Sequence, residues 1–144
     1  MARIKIELPE KFAFSASIPV RITDINYGGH VGNDNILSFI HEARIQFLRN
    51  YGYEELNLAG RGLIMSDVAI SFHNELFYGD TLEVFVTASD FTRVGFDVLY
   101  KMMKKSTAGS VLVASAKTAM VCYDYELKKV SSVPEAVKQK LAGF

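Results

Sequence analysis

The stretch Asp24-Ile25-Asn26-Tyr27-Gly28-Gly29-His30-Val31-Gly32-Asn33-Asp34-Asn35 separates two segments of different period, and that change decides the fold. Before it, Phe12, Phe14, Ala16, Ile18, Val20 and Ile22 alternate with Ala13, Ser15, Ser17, Arg21 and Thr23, which predicts a half-buried strand. Pro19 lies on the more polar parity and lacks an N–H, so an edge or an unpaired stretch is expected there. After it, Ile36, Ile40, Ala43, Phe47 and Tyr51 recur with the helical period, flanked by Leu37, Phe39 and Leu48. This predicts an amphipathic helix with Asn33 or Asp34 as its N-cap and Gly52 just past its end. The junction itself is equipped for chemistry. Glycines allow close approach of backbone to a ligand, His30 exchanges a proton near neutral pH, and amides opening a helix attract negative charge. Such a loop suits a polarised carbonyl.

A turn-rich segment from Leu56 to Gly62 follows the helix, and from there to Tyr125 the chain reads as strands. Ile64 to Phe72, Leu82 to Ala88, Val94 to Met103 and Val111 to Tyr123 are rich in β-branched and aromatic residues. Tyr78-Gly79-Asp80, Ser89-Asp90 and Thr107-Ala108-Gly109-Ser110 separate them and leave no room for helical crossovers, so consecutive strands are expected antiparallel. Pro134 opens a final short helix reaching Leu141. One long helix must then cover one concave face of an antiparallel sheet, an α+β arrangement. Leu99, Met103, Met120 and Leu112 are expected on the opposite face, more apolar surface than a short helix covers, and a homodimer would bury the remainder.

With 144 residues, 49% of them hydrophobic, the chain is read as a single domain, 1–144, with a substantial core. Sixteen basic and sixteen acidic residues cancel, so the total implies no polycationic face for nucleic acid. Cys122 is the one cysteine, which excludes an internal disulfide and fits a reducing compartment. Charges interrupt the first residues before any apolar run forms, and no segment has the length to cross a bilayer. A soluble cytoplasmic protein without membrane partners is the expectation. No repeat or linker-like stretch divides it.

The string Arg21 to Asn33, followed by Ile36-Leu37 and Glu42-Ala43-Arg44, resembles the hotdog-fold acyl-CoA thioesterases of the 4-hydroxybenzoyl-CoA thioesterase type. That family's pattern runs Asp-x-Asp-x-x-Gly-His-Val-x-Asn with Glu-x-Arg on the next helix, and Tyr78-Gly79-Asp80 before an apolar strand is a further match. The resemblance implies a long central helix wrapped by an antiparallel sheet, assembled as a homodimer or dimer of dimers. It also implies hydrolysis of an acyl-CoA thioester by activated water, with coenzyme A entering as part of the substrate and no metal or redox cofactor. One departure bears on mechanism: the second acid of the pattern is Asn26 here, and an amide is neither general base nor carboxylate nucleophile. Asp67 within a strand, and Glu75 where the family often has proline, depart as well. The alternative reading is a non-catalytic binder of acyl-thioesters. A hotdog hydratase or dehydratase ranks below both, because its His and acid sit on a different loop pattern.

The candidate site follows from the resemblance and the residues together. The Gly29, His30 and Val31 amides are expected to hold the carbonyl oxygen, Asn26 to position carbonyl or water, and Glu42 to take the proton from that water. Glu42 lies far around the helix from the apolar stripe, where a solvated acid pairing with Arg49 or Gln46 is the bland reading. Arg44 falls inside the stripe and must snorkel or find an acid, for which Asp24 is the expected partner, with a catalytic or substrate-binding role for Asp24 second. His41, His73 and Cys122 carry no metal or nucleophile pattern, and no serine nucleophile elbow occurs. Lys101, Lys104 and Lys105, or Arg93 with Gly95, are candidates for the coenzyme A phosphate, though a solvated strand edge explains the lysines equally well. Phe39, Phe47, Phe72 and Phe96 suit an acyl channel and a packed core alike, so acyl preference is not read from them.

Overall fold

The first strand is shorter than its alternation predicts. In the computed structural model, which describes residues 3–142, β1 spans Phe14–Pro19, and the chain then tightens into a 3-10 turn over Ile22–Asp24. Asp24 ends the alternation, because its side chain accepts the Arg21 N–H and closes the turn (2.8 Å). Helix α1 occupies Asn33–Asn50, and five strands follow: β2 Gly62–Phe72, β3 Thr81–Ser89, β4 Gly95–Ser106, β5 Gly109–Asp124 and the short β6 Lys129–Val130. Helix α2, Glu135–Ala142, closes the chain.

The sheet is antiparallel in the order β1-β3-β4-β5-β2, with β6 against β5. Strands β3, β4 and β5 form the expected meander, and β1 pairs only with β3, so Pro19 sits on an edge. Strand β2 departs from the simplest reading: it pairs with β5 at the far edge instead of with β3. Residues 73–80 therefore cross the end of the sheet. Three strand spacings amount to about 14 Å, within reach of an eight-residue connection. A hairpin and a crossing of this length look alike in sequence, but only the crossing carries residues 73–76 past the loop before α1.

Helix α1 lies on the concave face, and its stripe Ile36, Ile40, Ala43 and Phe47 is buried against Leu82, Val84, Val86, Val98 and Met102. Phe47 meets Phe14 and Tyr51 at ring-centroid distances of 6.1 and 5.4 Å. Burying its side chain stabilises the fold by about 2–3 kcal/mol. Met120, expected on the outer face, belongs to this core at 1% exposure, while Leu99, Met103 and Leu112 stay half-buried outside it. The helix starts one residue earlier than a cap at Asn33 predicts and two earlier than a cap at Asp34. Gly32 is the N-cap, and a Cβ there would stand 2.5 Å from Asp34 Oδ1. Gly52 ends the helix at φ +83°, and the Tyr53 N–H returns to the Leu48 carbonyl (2.9 Å). Among the described residues no helix is long and apolar enough to cross a membrane.

Candidate active site

The loop between β1 and α1 is built by Asn26. Its side-chain Oδ1 accepts the Gly28 N–H (2.8 Å), its carbonyl accepts the Gly29 N–H (3.1 Å), and its own N–H donates to the His30 carbonyl (3.0 Å). Gly29 takes φ +85°, which a residue with a Cβ tolerates poorly. The next amide, Val31 N–H, donates to the Leu76 carbonyl (2.8 Å) and clips the loop to the crossing segment. Two of the three amides expected to hold an oxyanion are thus already engaged within the protein. The His30 N–H is the one that donates to no other described residue.

His30 Nδ1 lies 3.1 Å from the Val31 carbonyl, which only accepts, so Nδ1 carries the proton and Nε2 presents a lone pair in the neutral ring. Asn26 Nδ2 has no described acceptor and points at the helix N-terminus, 3.3 Å from where a Cβ on Gly32 would stand. The loop therefore offers hydrogen-bond donors beside the positive end of a helix. It lies against a hollow of about 230 Å³ lined by His30, Val31, Asn33 and Ile36 on one side and by Phe72 to Leu76 on the other.

The sequence matches the thioesterase-like superfamily over residues 20–141. The chain belongs to the thioesterase-like superfamily. Two relatives are similar over most of the chain: a putative esterase of Aquifex aeolicus is 27% identical over 85% of this chain and 92% of its own length. A 1,4-dihydroxy-2-naphthoyl-CoA hydrolase of Microcystis aeruginosa is 26% identical over 85% of this chain and 88% of its own length. An Asp-to-Asn mutant of 4-hydroxybenzoyl-CoA thioesterase, solved with 4-hydroxybenzoyl-CoA, shares the fold, with a TM-score of 0.80, 18% identity, and coverage of 90% of this chain and 98% of that one. The architecture is the hotdog fold, and the enzyme class is thioester hydrolase.

Within this thioesterase fold the expected residues part company. Asp24 is 4% exposed and saturated: it accepts the Arg21 N–H, the Arg21 Nη2 (3.1 Å) and the Asn35 Nδ2 (3.4 Å), and Asn35 also holds the Asp24 carbonyl (2.8 Å). Burial pushes its carboxyl up, but the Arg21 hydrogen bonds more than offset that and hold it below the ordinary carboxylate range. Asp24 is a clamp between turn and helix, and it does not pair with Arg44. The partners of Arg44 are Glu55 (2.8 Å) and the Tyr100 hydroxyl (3.2 Å), which in turn bonds to Thr118 (2.8 Å). Glu55 follows the Gly52 turn, so its arrival beside Arg44 depends on a reversal that helical periodicity does not register.

Glu42 is exposed, accepts a hydrogen bond from Gln46 (2.6 Å), and lines a separate groove between α1 and β1 with Arg21 and His41. The structure does not bring it into the hollow of His30. Asn35 was not singled out in the sequence, Glu75 stood out there only as a departure from the family pattern, and Lys104 only as a phosphate candidate. The Lys104 Nζ donates to the Glu75 carbonyl (2.6 Å) and pairs with Asp80 (3.2 Å), whose other role is to accept the Phe77 N–H (2.9 Å). The Tyr78-Gly79-Asp80 match was the available signal, since an acid in a turn at a strand start recruits a neighbouring cation.

Proposed function

We propose that this protein hydrolyses an acyl-CoA thioester to the free acid and coenzyme A, as a cytoplasmic homodimer or dimer of dimers. The observation that supports it best is the pair of donors left without an acceptor among the described residues, His30 N–H and Asn26 Nδ2, at the N-terminus of α1 in a thioesterase-family chain. Both suit the oxygen of a thioester carbonyl as it gains charge, and a single such donor is worth about 100-fold in rate. Gly29 and Val31 set the loop's shape, and the His30 side chain keeps it in place. A dimer fits the outer edge of β2, which no further described strand pairs, and where Ile64, Met65, Val68 and Phe72 each remain more than a third exposed. The hollow ends at Phe72 on that edge and is smaller than an ordinary ligand pocket of roughly 300 Å³ or more, so a second chain would complete its wall.

The test is release of free thiol from aliphatic and aromatic acyl-CoAs by the full-length protein. Turnover above the uncatalysed rate with at least one acyl group is expected. Thermal protection by acyl-CoA without thiol release would replace this proposal with the non-catalytic binder.

A further inference from the structure

Hydrolysis needs a group to take a proton from water, and the loop before α1 offers the His30 imidazole but no free carboxylate: Asn26 is an amide and Asp24 is buried and saturated. Resting on the hydrolase reading above, the geometry points to Glu75 as the general base of this chain. Of the described residues that line the hollow of His30, Glu75 is the only carboxylate. Its position is fixed through the backbone on both sides. The Leu76 carbonyl takes the Val31 N–H (2.8 Å), Leu76 is buried at 1% exposure, and the Glu75 carbonyl is held by Lys104 (2.6 Å). Upstream, the His73 and Asn74 amides both donate to the Val113 carbonyl, and the Asn74 side chain donates to the Leu112 carbonyl (2.6 Å).

Against this fixed backbone the carboxylate itself is exposed and has no hydrogen bond or ion pair to any described residue. Three nearby acids differ in that respect: Asp24 has Arg21, Asp80 has Lys104, and Glu42 has Gln46, while Asp34 at the start of α1 does not line the hollow. His73 also lines the hollow, but it sits three residues before the Val31–Leu76 clip, whereas Glu75 adjoins it. The hollow beside His30 therefore has one carboxylate, brought by the crossing of residues 73–80.

The step balances without a co-reactant. Glu75 accepts a proton from water as the water oxygen bonds to the thioester carbonyl carbon, and the carbonyl oxygen takes the negative charge beside the His30 N–H and Asn26 Nδ2. Collapse of that adduct breaks the carbon–sulfur bond. The proton on Glu75 passes to the departing thiolate, which leaves as coenzyme A thiol and restores the carboxylate.

The experiment compares steady-state thiol release by the wild type, E75Q, E75D and the exposed control E54Q, each checked for an unchanged melting temperature. Loss of a general base predicts that kcat of E75Q falls about 100-fold or more with KM little changed, since base catalysis contributes on the order of 100- to 10,000-fold. E75D is expected to recover part of that loss, E54Q to match wild type, and the acid limb of the wild-type pH profile to vanish in E75Q. An E75Q enzyme with wild-type kcat and an intact acid limb overturns the role of Glu75 while leaving the hydrolase reading standing. Absence of turnover in the wild type overturns both.

Discussion

Two polar clusters flank helix α1, and they differ in whether their groups are satisfied. Under its middle, Arg44, Glu55, Tyr100 and Thr118 form a closed chain in which each group has a partner, and Arg44, Tyr100 and Thr118 are almost wholly buried. Burial there would lower the basicity of Arg44 on its own, but Tyr100 and Glu55 restore it and raise it above its ordinary value. At the N-terminus of the same helix, the His30 N–H, the Asn26 Nδ2 and the Glu75 carboxylate have no partner among the described residues. A buried polar network that is complete holds a fold, whereas donors and acceptors left over in a hollow serve a ligand. Stability and activity should therefore separate cleanly between the two clusters.

The largest stability effect is expected from opening the closed cluster. Arg44→Met leaves Glu55 with only His41 beside it (3.5 Å) and removes one partner of the Tyr100 hydroxyl, a cost of about 2–3 kcal/mol. In a chain of this size the melting temperature should fall by roughly 6–12 °C. Thiol release at a temperature well below melting should stay within about threefold of wild type, because Arg44 lies away from the hollow. Strong loss of kcat without loss of stability would merge the two clusters into one. Tyr100→Phe is a milder version, expected to cost about 1 kcal/mol in denaturant unfolding.

Asp24 sharpens the contrast through pH. Its carboxyl lies below the ordinary range in the folded protein, so its contribution is fully present above the unfolded pKa and is lost as pH falls through the folded one. Asp24→Asn should therefore flatten the acid side of the stability profile, measured by thermal melts across acid pH, by about 1–2 kcal/mol. At the alkaline side Cys122, fully buried in β5, is pushed up to about 11 by burial, with Arg61 opposing. The unfolded thiol ionises first as pH climbs past 9, so stability should decline between there and about 11. The smallest effect is chemical: iodoacetamide at pH 8 should label Cys122 only after unfolding, as followed by intact mass.

The parts of the fold that rest on local period were legible in the sequence. The stripe Ile36, Ile40, Ala43 and Phe47 gave the helix and its buried face, and β-branched runs gave four strands within a few residues of their ends. What escaped depends on contacts distant in sequence. The partner of Arg44 was sought on the preceding loop, but the Gly52 reversal delivers Glu55. Gly32 caps α1 because the Asp34 side chain fills the space a Cβ would need, a crowding that composition does not announce. Glu42 carried the right chemistry at a place the crossing segment does not reach, and Glu75 showed only as an acid where the family often has proline.

The central claim is that the reacting carboxylate comes from the crossing between β2 and β3 and not from helix α1. Its most direct test is the ratio of kcat for E42Q to kcat for E75Q, measured on one acyl-CoA at saturation with both variants folded. The account predicts that E42Q is faster by about 100-fold or more, the share of rate that a positioned base supplies. The reverse order, with E75Q the faster enzyme, would contradict it and return the base to the helix.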